Sequence, residues 1–370
     1  MDYAVTNCTV YTGEELLRNS ALVIRGGRIE SIVKEADIPR DLEVVDLEGV
    51  TVTPGFLDLQ VNGSAGLVFS EEPTPERGAA IAMAYRARGT TAMLRTRISS
   101  PWETILQAVE SVRELMERPE TGVLGLHLEG PFINAEKSGV HDPAFIREPT
   151  DFELNNLIER GSGVVKMVTV APEVVGESRV KRLARSGMVV SAGHTNATYR
   201  QMLDFERAGG RMVTHLFNAM SQFGAREPGA AGAALDSGEL WAGILADGVH
   251  VDPAGIRLAW RAKGEKLILV SDAVALPGEE PLAFTMGGRE ITCEGGMCRT
   301  AEGKLAGSLL DMAAAVRLCV MKAGIPLADV LRMATAGPAR LLGLEGRYGY
   351  IREGRPADVF FLDPAKWGQT

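Results

Sequence analysis

The chain has 370 residues, 45% hydrophobic and 24% charged, and its 42 glycines and 18 prolines are dispersed, which excludes collagen-like, low-complexity and disordered chains. Lys and Arg total 39 against 48 Asp and Glu, a formal charge of −9; no nucleic-acid partner is expected, because phosphate-backbone affinity is built from clustered basic residues. The longest apolar run, Leu305 to Met321, is broken by Asp311 and Arg317, and the first twenty residues lack the basic-then-apolar pattern of a signal peptide. No membrane association and a cytoplasmic location are therefore expected.

Residues 1–53 read as β structure, with Ala21-Leu-Val-Ile-Arg and Arg28-Ile-Glu-Ser-Ile-Val forming a hairpin across Gly26-Gly27. From Phe56 the texture changes to short apolar runs alternating with helical periodicity, such as Glu76 to Arg88 and Glu177 to Arg185. Eight runs have the look of buried parallel strands: 56–62, 91–98, 123–129, 165–170, 188–194, 212–218, 241–247 and 266–272. Eight such runs with helix-length spacers predict a (βα)8 TIM-like barrel over residues 54–340. Residues 282–305 interrupt the pattern with hairpin-like turns at Gly287-Gly288 and Gly295-Gly296. After Arg347 β texture returns in Ala357-Asp-Val-Phe-Phe-Leu, so residues 1–53 and 341–370 are expected to build one small β-sandwich-like domain. The four cysteines, Cys8, Cys293, Cys298 and Cys319, contain no Cys-x-x-Cys pair and are expected to be reduced thiols.

The five histidines carry the chemical signal. His194 closes the fifth strand, His215 lies near the end of the sixth, His250 follows the seventh, Asp272 closes the eighth, and Glu129 ends the third, two residues after His127. Side chains at the carboxyl ends of barrel strands converge on one mouth, where catalysis occurs in this architecture. Any one of these histidines alone reads equally well as a hydrogen-bonded loop residue; the set requires a shared reason. Two neutral imidazoles and a carboxylate leave an open position for water on a metal ion, so Glu129, His194 and His215 are the expected ligands of one divalent cation per chain, zinc or iron first, manganese or cobalt as alternatives. Such an ion acidifies bound water and polarises a carbonyl. Asp272 is placed to move protons between water and a leaving group. His141 reads as a carbonyl-polarising residue or a plain loop histidine, and Arg226 and His250 as local positive charge for an anionic substrate. Leu305-Ala306-Gly307 is a weak signal of close backbone approach to a ligand.

The runs Pro54-Gly-Phe-Leu-Asp-Leu-Gln-Val-Asn-Gly, Leu126-His-Leu-Glu-Gly-Pro-Phe, Lys137-Ser-Gly-Val-His, Ser191-Ala-Gly-His-Thr-Asn-Ala, Thr214-His-Leu-Phe-Asn-Ala-Met, Arg226-Glu-Pro-Gly, Ala246-Asp-Gly-Val-His and Leu269-Val-Ser-Asp-Ala come in one order across nearly the whole chain. Together they resemble the amidohydrolase superfamily and, within it, the N-acetylglucosamine-6-phosphate deacetylase family. The resemblance implies hydrolysis of the 2-acetamido group of an amino-sugar phosphate, with the galactosamine epimer as the nearest alternative substrate, a hydantoinase-like ring hydrolase further off, and a catalytically silent sugar-phosphate-binding barrel as an alternative of another class. It implies metal ligation by Glu129, His194 and His215, catalysis by Asp272 and His141, and substrate binding by Val140, His141, Asn218, Ala219, Arg226, His250 and Leu305 to Gly307. Relatives can take the arginine from a neighbouring subunit, which implies a homodimer. Gln60 and Asn62 stand where many members of the superfamily carry His-x-His, so a single metal is expected. Arg95 replaces a proline usual in the family, and Arg95 and Arg97 are expected at the barrel interior or mouth, where they need partners. The sequence ends at Ala365-Lys-Trp-Gly-Gln-Thr where relatives continue into another strand, so a terminal sheet one strand short is expected.

Overall fold

The computed structural model describes residues 2–367. Strands Tyr3–Tyr11, Leu16–Arg25 and Arg28–Lys34 form an antiparallel meander. Its second turn passes through Gly26 and Gly27 at φ 55° and 72°, a pair of left-handed residues that glycine adopts without steric cost. The first strand is shared: Tyr3–Thr6 pairs in parallel with Glu43–Asp46, while Thr9 and Val10 pair with Thr51 and Val52. Val359–Leu362 adds antiparallel to Thr51–Pro54. Both ends of the chain thus build one forked six-stranded sheet, with Val5, Val10, Leu22, Ile24, Val52 and Ile351 in its core.

The eight strands of the barrel are Phe56–Val61, Thr90–Arg97, Val123–Glu129, Val165–Val170, Val189–Ala192, Met212–Val213, Trp241–Ile244 and Leu267–Leu269, lying side by side in chain order. The ring closes where the chain beyond Leu269 continues as Ala273–Ala275 against the first strand. At this seam the Asp272 N–H donates to the Gln60 carbonyl and the Asn62 N–H to the Ala273 carbonyl, both at 2.9 Å. Strands five, six and eight end earlier than their apolar runs because His194, His215, Phe217, Ala219 and Asp272 turn into left-handed φ (47°, 34°, 78°, 48° and 49°), which no strand ladder accommodates. Leu57, Leu59, Leu94, Met167, Val189, Met212, Ile268 and Val270 fill the barrel, and a larger cluster packs between strands and helices. The helix Trp102–Met116 shows the logic of that outer layer: Ile105, Ala108, Val109, Val112 and Leu115 recur at three- and four-residue spacing and are all buried. Truncating Leu115 to Ala there costs about 2 to 5 kcal/mol.

Two expectations are corrected. Leu282–Met286, Arg289–Glu294 and Met297–Thr300 form a three-stranded antiparallel sheet, in which the Gly295-Gly296 turn sets Cys293 directly opposite Cys298, Cα atoms 4.0 Å apart, and the two are joined as a disulfide. Among the described residues Cys8 and Cys319 are the free thiols, both buried. Cross-strand register, and not Cys-x-x-Cys spacing, decides that pairing. Arg95 and Arg97 do not face the barrel interior. Ala92 and Leu94 belong to the interior cluster and Met93 to the helix-side cluster, so strand alternation sends Arg95 and Arg97 outward. Arg95 is fully buried there, donating Nη2 to the Asn62 carbonyl at 3.1 Å with its guanidinium carbon 5.2 Å from the Phe69 ring centroid. Arg97 donates to Ser100 Oγ at 2.9 Å and to the Ser70 carbonyl. Burial draws both guanidinium pKa values down to about 10, which leaves them charged at neutral pH.

Candidate active site

The carboxyl ends of the strands open into a cavity of about 330 Å³. Third-strand pairing carries Glu129 to its floor, and the left-handed turns after strands five and six swing His194 and His215 onto the same point. Glu129 Oε1 lies 3.2 Å from His194 Nε2 and 3.0 Å from His215 Nε2, and the two nitrogens are 3.1 Å apart. The other ring nitrogens decide the tautomers. His194 Nδ1 donates to the Lys137 carbonyl (2.7 Å) and His215 Nδ1 to the Asn218 carbonyl (3.1 Å); a carbonyl only accepts, so in the neutral rings both Nε2 atoms present lone pairs. Three acceptors therefore meet with no proton between them, a donor set that calls for a cation, and the carbonyl partners fix the rings as in metal-bound imidazoles. Burial opposes ionisation of Glu129, but the facing imidazoles, when protonated, override it and hold its carboxyl well below the usual range. His215 is correspondingly drawn upward by Glu129 against its own burial.

His141 Nε2 or Nδ1 also comes within ligand range, since ligand atoms of Glu129, His141 and His194 lie within 4.8 Å of one another. Its hydrogen bonds give it another part. The Ser99 N–H (3.2 Å) can only donate, and Ser99 Oγ stands at 2.8 Å from the same Nδ1. Nδ1 accepts, so the proton of neutral His141 sits on Nε2 as a hydrogen-bond donor. Burial, reinforced by His194, lowers its pKa to about 3 and keeps it neutral. Asp272 faces the same cavity, with Oδ1 accepting from Asn62 Nδ2 at 2.8 Å and Gln60 Nε2 at 3.0 Å; Gln60 Nε2 also reaches Glu129 Oε1 at 3.1 Å. Burial first, then the Glu129 charge, pushes the Asp272 carboxyl up to about 7, a value suited to proton exchange at neutral pH.

Of the residues expected from sequence, Glu129, Val140, His141, His194, His215, Asn218, Ala219, His250, Asp272, Leu305 and Gly307 all line this cavity. Ala306 does not: it is fully buried against the three-stranded sheet, its N–H bonded to the Cys298 carbonyl. Arg226 is exposed on the loop after strand six, outside the cavity of its own chain. Sequence reasoning missed the amide pair Gln60 and Asn62, the Ser99 brace on His141, and the cavity residues Lys137, Met286 and Lys304. The first of these was within reach, since Gln-x-Asn ends strand one where a carboxylate needs donors.

Residues 51–369 match the Amidohydrolase family and residues 2–52 the NagA composite domain. The chain belongs to the amidohydrolase family. Within it, this chain is a NagA-family deacetylase by its likeness to curated relatives. It is 36% identical to the N-acetylglucosamine-6-phosphate deacetylase of Haemophilus influenzae over 98% of this chain and 96% of that one. It is 40% identical to the N-acetylgalactosamine-6-phosphate deacetylase of a Shewanella species over 85% of this chain and 79% of that one. A mutant N-acetyl-D-glucosamine-6-phosphate deacetylase of Mycobacterium smegmatis, solved in complex with N-acetyl-D-glucosamine-6-phosphate, superposes with a TM-score of 0.91 at 33% identity, covering 98% of this chain and 95% of that chain. No helix among the described residues is long and apolar enough to cross a membrane.

Proposed function

We propose that this deacetylase hydrolyses the acetamide of N-acetyl-D-glucosamine 6-phosphate to D-glucosamine 6-phosphate and acetate. The observation that carries the reading is the meeting of Glu129, His194 and His215 as three acceptors beside Asp272. Those three residues would hold one divalent cation, zinc or iron first and manganese or cobalt as alternatives. A cation bound there acidifies water and polarises the acetamide carbonyl. The chain's own groups do the rest. Asp272 takes a proton from the attacking water while Gln60 and Asn62 hold its Oδ1, and His141 Nε2–H donates to the carbonyl oxygen as it gains negative charge. As the C–N bond breaks, Asp272 returns the proton to the departing nitrogen, giving the amine and acetate. Val140, Asn218, Ala219, His250 and the backbone of Leu305 and Gly307 hold the sugar phosphate, Ala306 being turned away from the cavity. The exposure of Arg226 outside its own cavity supports its service to a neighbouring subunit in a homodimer.

The 40% identity to an N-acetylgalactosamine-6-phosphate deacetylase favours a second reading, in which the C4 epimer is the substrate. Acetate release from the two phosphorylated sugars in parallel, with Asp272→Asn as control, tests both. Release dependent on Asp272 and fastest with the gluco epimer is expected; a faster galacto reaction establishes the second reading, and no release from metal-loaded protein refutes both.

A further inference from the structure

The cavity is polarised. Its floor carries the carboxylates of Glu129 and Asp272, whereas Lys137, His250 and Lys304 stand among its other lining residues, with Glu136 beside Lys137 engaged by Asn196 Nδ2 at 2.7 Å, in a chain that is acidic as a whole. His250 is held by its own acid, Nδ1 to Asp247 Oδ2 at 2.6 Å. Lys304 differs: among the described residues its ammonium makes no ion pair within 4 Å, and its acidic neighbour Glu302 lies 3.5 Å from Arg289. Its backbone, in contrast, is firmly placed. The Lys304 carbonyl accepts from Thr300 N–H at 2.9 Å, Leu305 bridges Arg299, and Ala306 N–H donates to the Cys298 carbonyl at 3.0 Å, so residues 304–306 run as a further antiparallel edge on the disulfide-bonded sheet. Two residues on, Ser308 N–H donates to the Asp272 carbonyl at 3.0 Å and Ser308 Oγ to the Ser271 carbonyl at 2.7 Å. A short segment fastened at both ends thus carries the Lys304 side chain to the rim of the cavity that Asp272 also lines.

We infer that Lys304 is a substrate-binding residue of this chain, its ammonium pairing with the phosphate of the amino-sugar phosphate. The inference rests on the function proposed above. A phosphate monoester carries about −1.5 to −2 charges at neutral pH, and lysine binds phosphate as a point charge on a flexible stem, without needing the fixed fork of arginine. Arg226 lies outside this cavity; among the described residues Lys137 and Lys304 are the lining cations without an acidic partner within 4 Å, and Lys304 is the one on the segment fastened to Asp272.

The test uses the full-length, metal-loaded protein and its Lys304→Met and Lys304→Arg variants. Calorimetry measures binding of D-glucosamine 6-phosphate and of unphosphorylated D-glucosamine, and kinetics give KM and kcat on the acetylated sugar phosphate. Lys304→Met is expected to weaken binding of the phosphorylated sugar by about 10- to 100-fold, without a matching change for the unphosphorylated one. KM rises far more than kcat falls, and Lys304→Arg restores most of the affinity. Unchanged affinity in Lys304→Met overturns the assignment, as does an equal loss for both sugars, which would mark a structural role. If the parent protein binds and deacetylates the phosphorylated sugar and the Lys304 variants behave as the parent does, the function stands and this inference falls. If the parent protein neither binds nor deacetylates the sugar phosphate, both fall.

Discussion

Replacing Asn62 by Leu removes one of the two amide donors on Asp272 Oδ1 while keeping the number and branching of side-chain heavy atoms. The lost bond is short, 2.8 Å, and made to an anion; hydrogen bonds to charged groups contribute about 1.5 to 3 kcal/mol. Because 1.36 kcal/mol corresponds to about one pKa unit, the Asp272 carboxyl is expected to rise by about 1 to 2 units. The sign follows from the partner: an amide N–H favours the carboxylate, so losing it favours the acid. Asp272 must be ionised to take a proton from water, so the acidic limb of the kcat/KM profile moves upward by the same 1 to 2 units. One unit below the parent's limb the variant is about 10- to 100-fold slower; above the variant's limb the two converge. A bound cation lowers both limbs together and leaves their separation. The assay is acetate release across pH 5 to 10 with metal content measured in each sample. A uniform loss of rate at every pH, or a limb displaced downward, refutes the reasoning, because either result means that Asn62 does not act through the proton on Asp272.

Other expectations follow from the same coordinates. Asp58 is fully buried and burial pushes its carboxyl up to about 6, above the ~3.9 of an unfolded chain; the contribution of Asp58 to stability is therefore greatest below about pH 4 and is lost as pH rises through 6. Asp58→Asn removes that dependence, and its stability relative to the parent should improve by about 1 to 2 kcal/mol from pH 5 to pH 8 in urea unfolding; a pH-independent difference would show that Asp58 does not titrate as described. Removal of the cation by chelation should abolish turnover and lower the unfolding temperature, by the equivalent of about 2.7 kcal/mol if the free ion had stood at 100 times its dissociation constant; calorimetry before and after metal return measures it. Ala65 sits at φ 51° on an exposed turn, so Ala65→Gly should stabilise the protein by about 1 kcal/mol, read as a raised urea midpoint. Denatured but unreduced protein should show two titratable thiols among its four cysteines, and reduction should cost about 2 kcal/mol of stability, the loop closed being short.

Much of the site was legible because barrel topology converts strand order into convergence: once the eight apolar runs are counted, Glu129, His194, His215 and Asp272 have one place to meet. Less legible was anything set by parity or register. Whether Arg95 faces inward depends on a single-residue count along strand two, and the neighbouring Met93 shows the answer only once the layers are seen. The Cys293–Cys298 bond depends on a turn that sets two strands opposite. Gln60 and Asn62 were read by what they are not, poor metal ligands, whereas their amide hydrogens hold the carboxylates on either side. Early strand ends at His194, His215 and Asp272 were invisible as well, since backbone handedness at a non-glycine residue is enforced by tertiary packing and costs about 1 to 3 kcal/mol locally.

The seam between strands eight and one passes through Asp272. Its backbone N–H helps to close the ring against Gln60, and Asn62 closes the next step while its side chain holds the carboxylate. Opening of this one joint, a sub-global event well short of unfolding, displaces Asp272 and both edges that orient it. In mild denaturant, activity should then fade while helical signal persists, and the slowest-exchanging amides elsewhere in the barrel would not report it. The hydrogen bonds that close the ring are thus the ones that orient the Asp272 carboxylate.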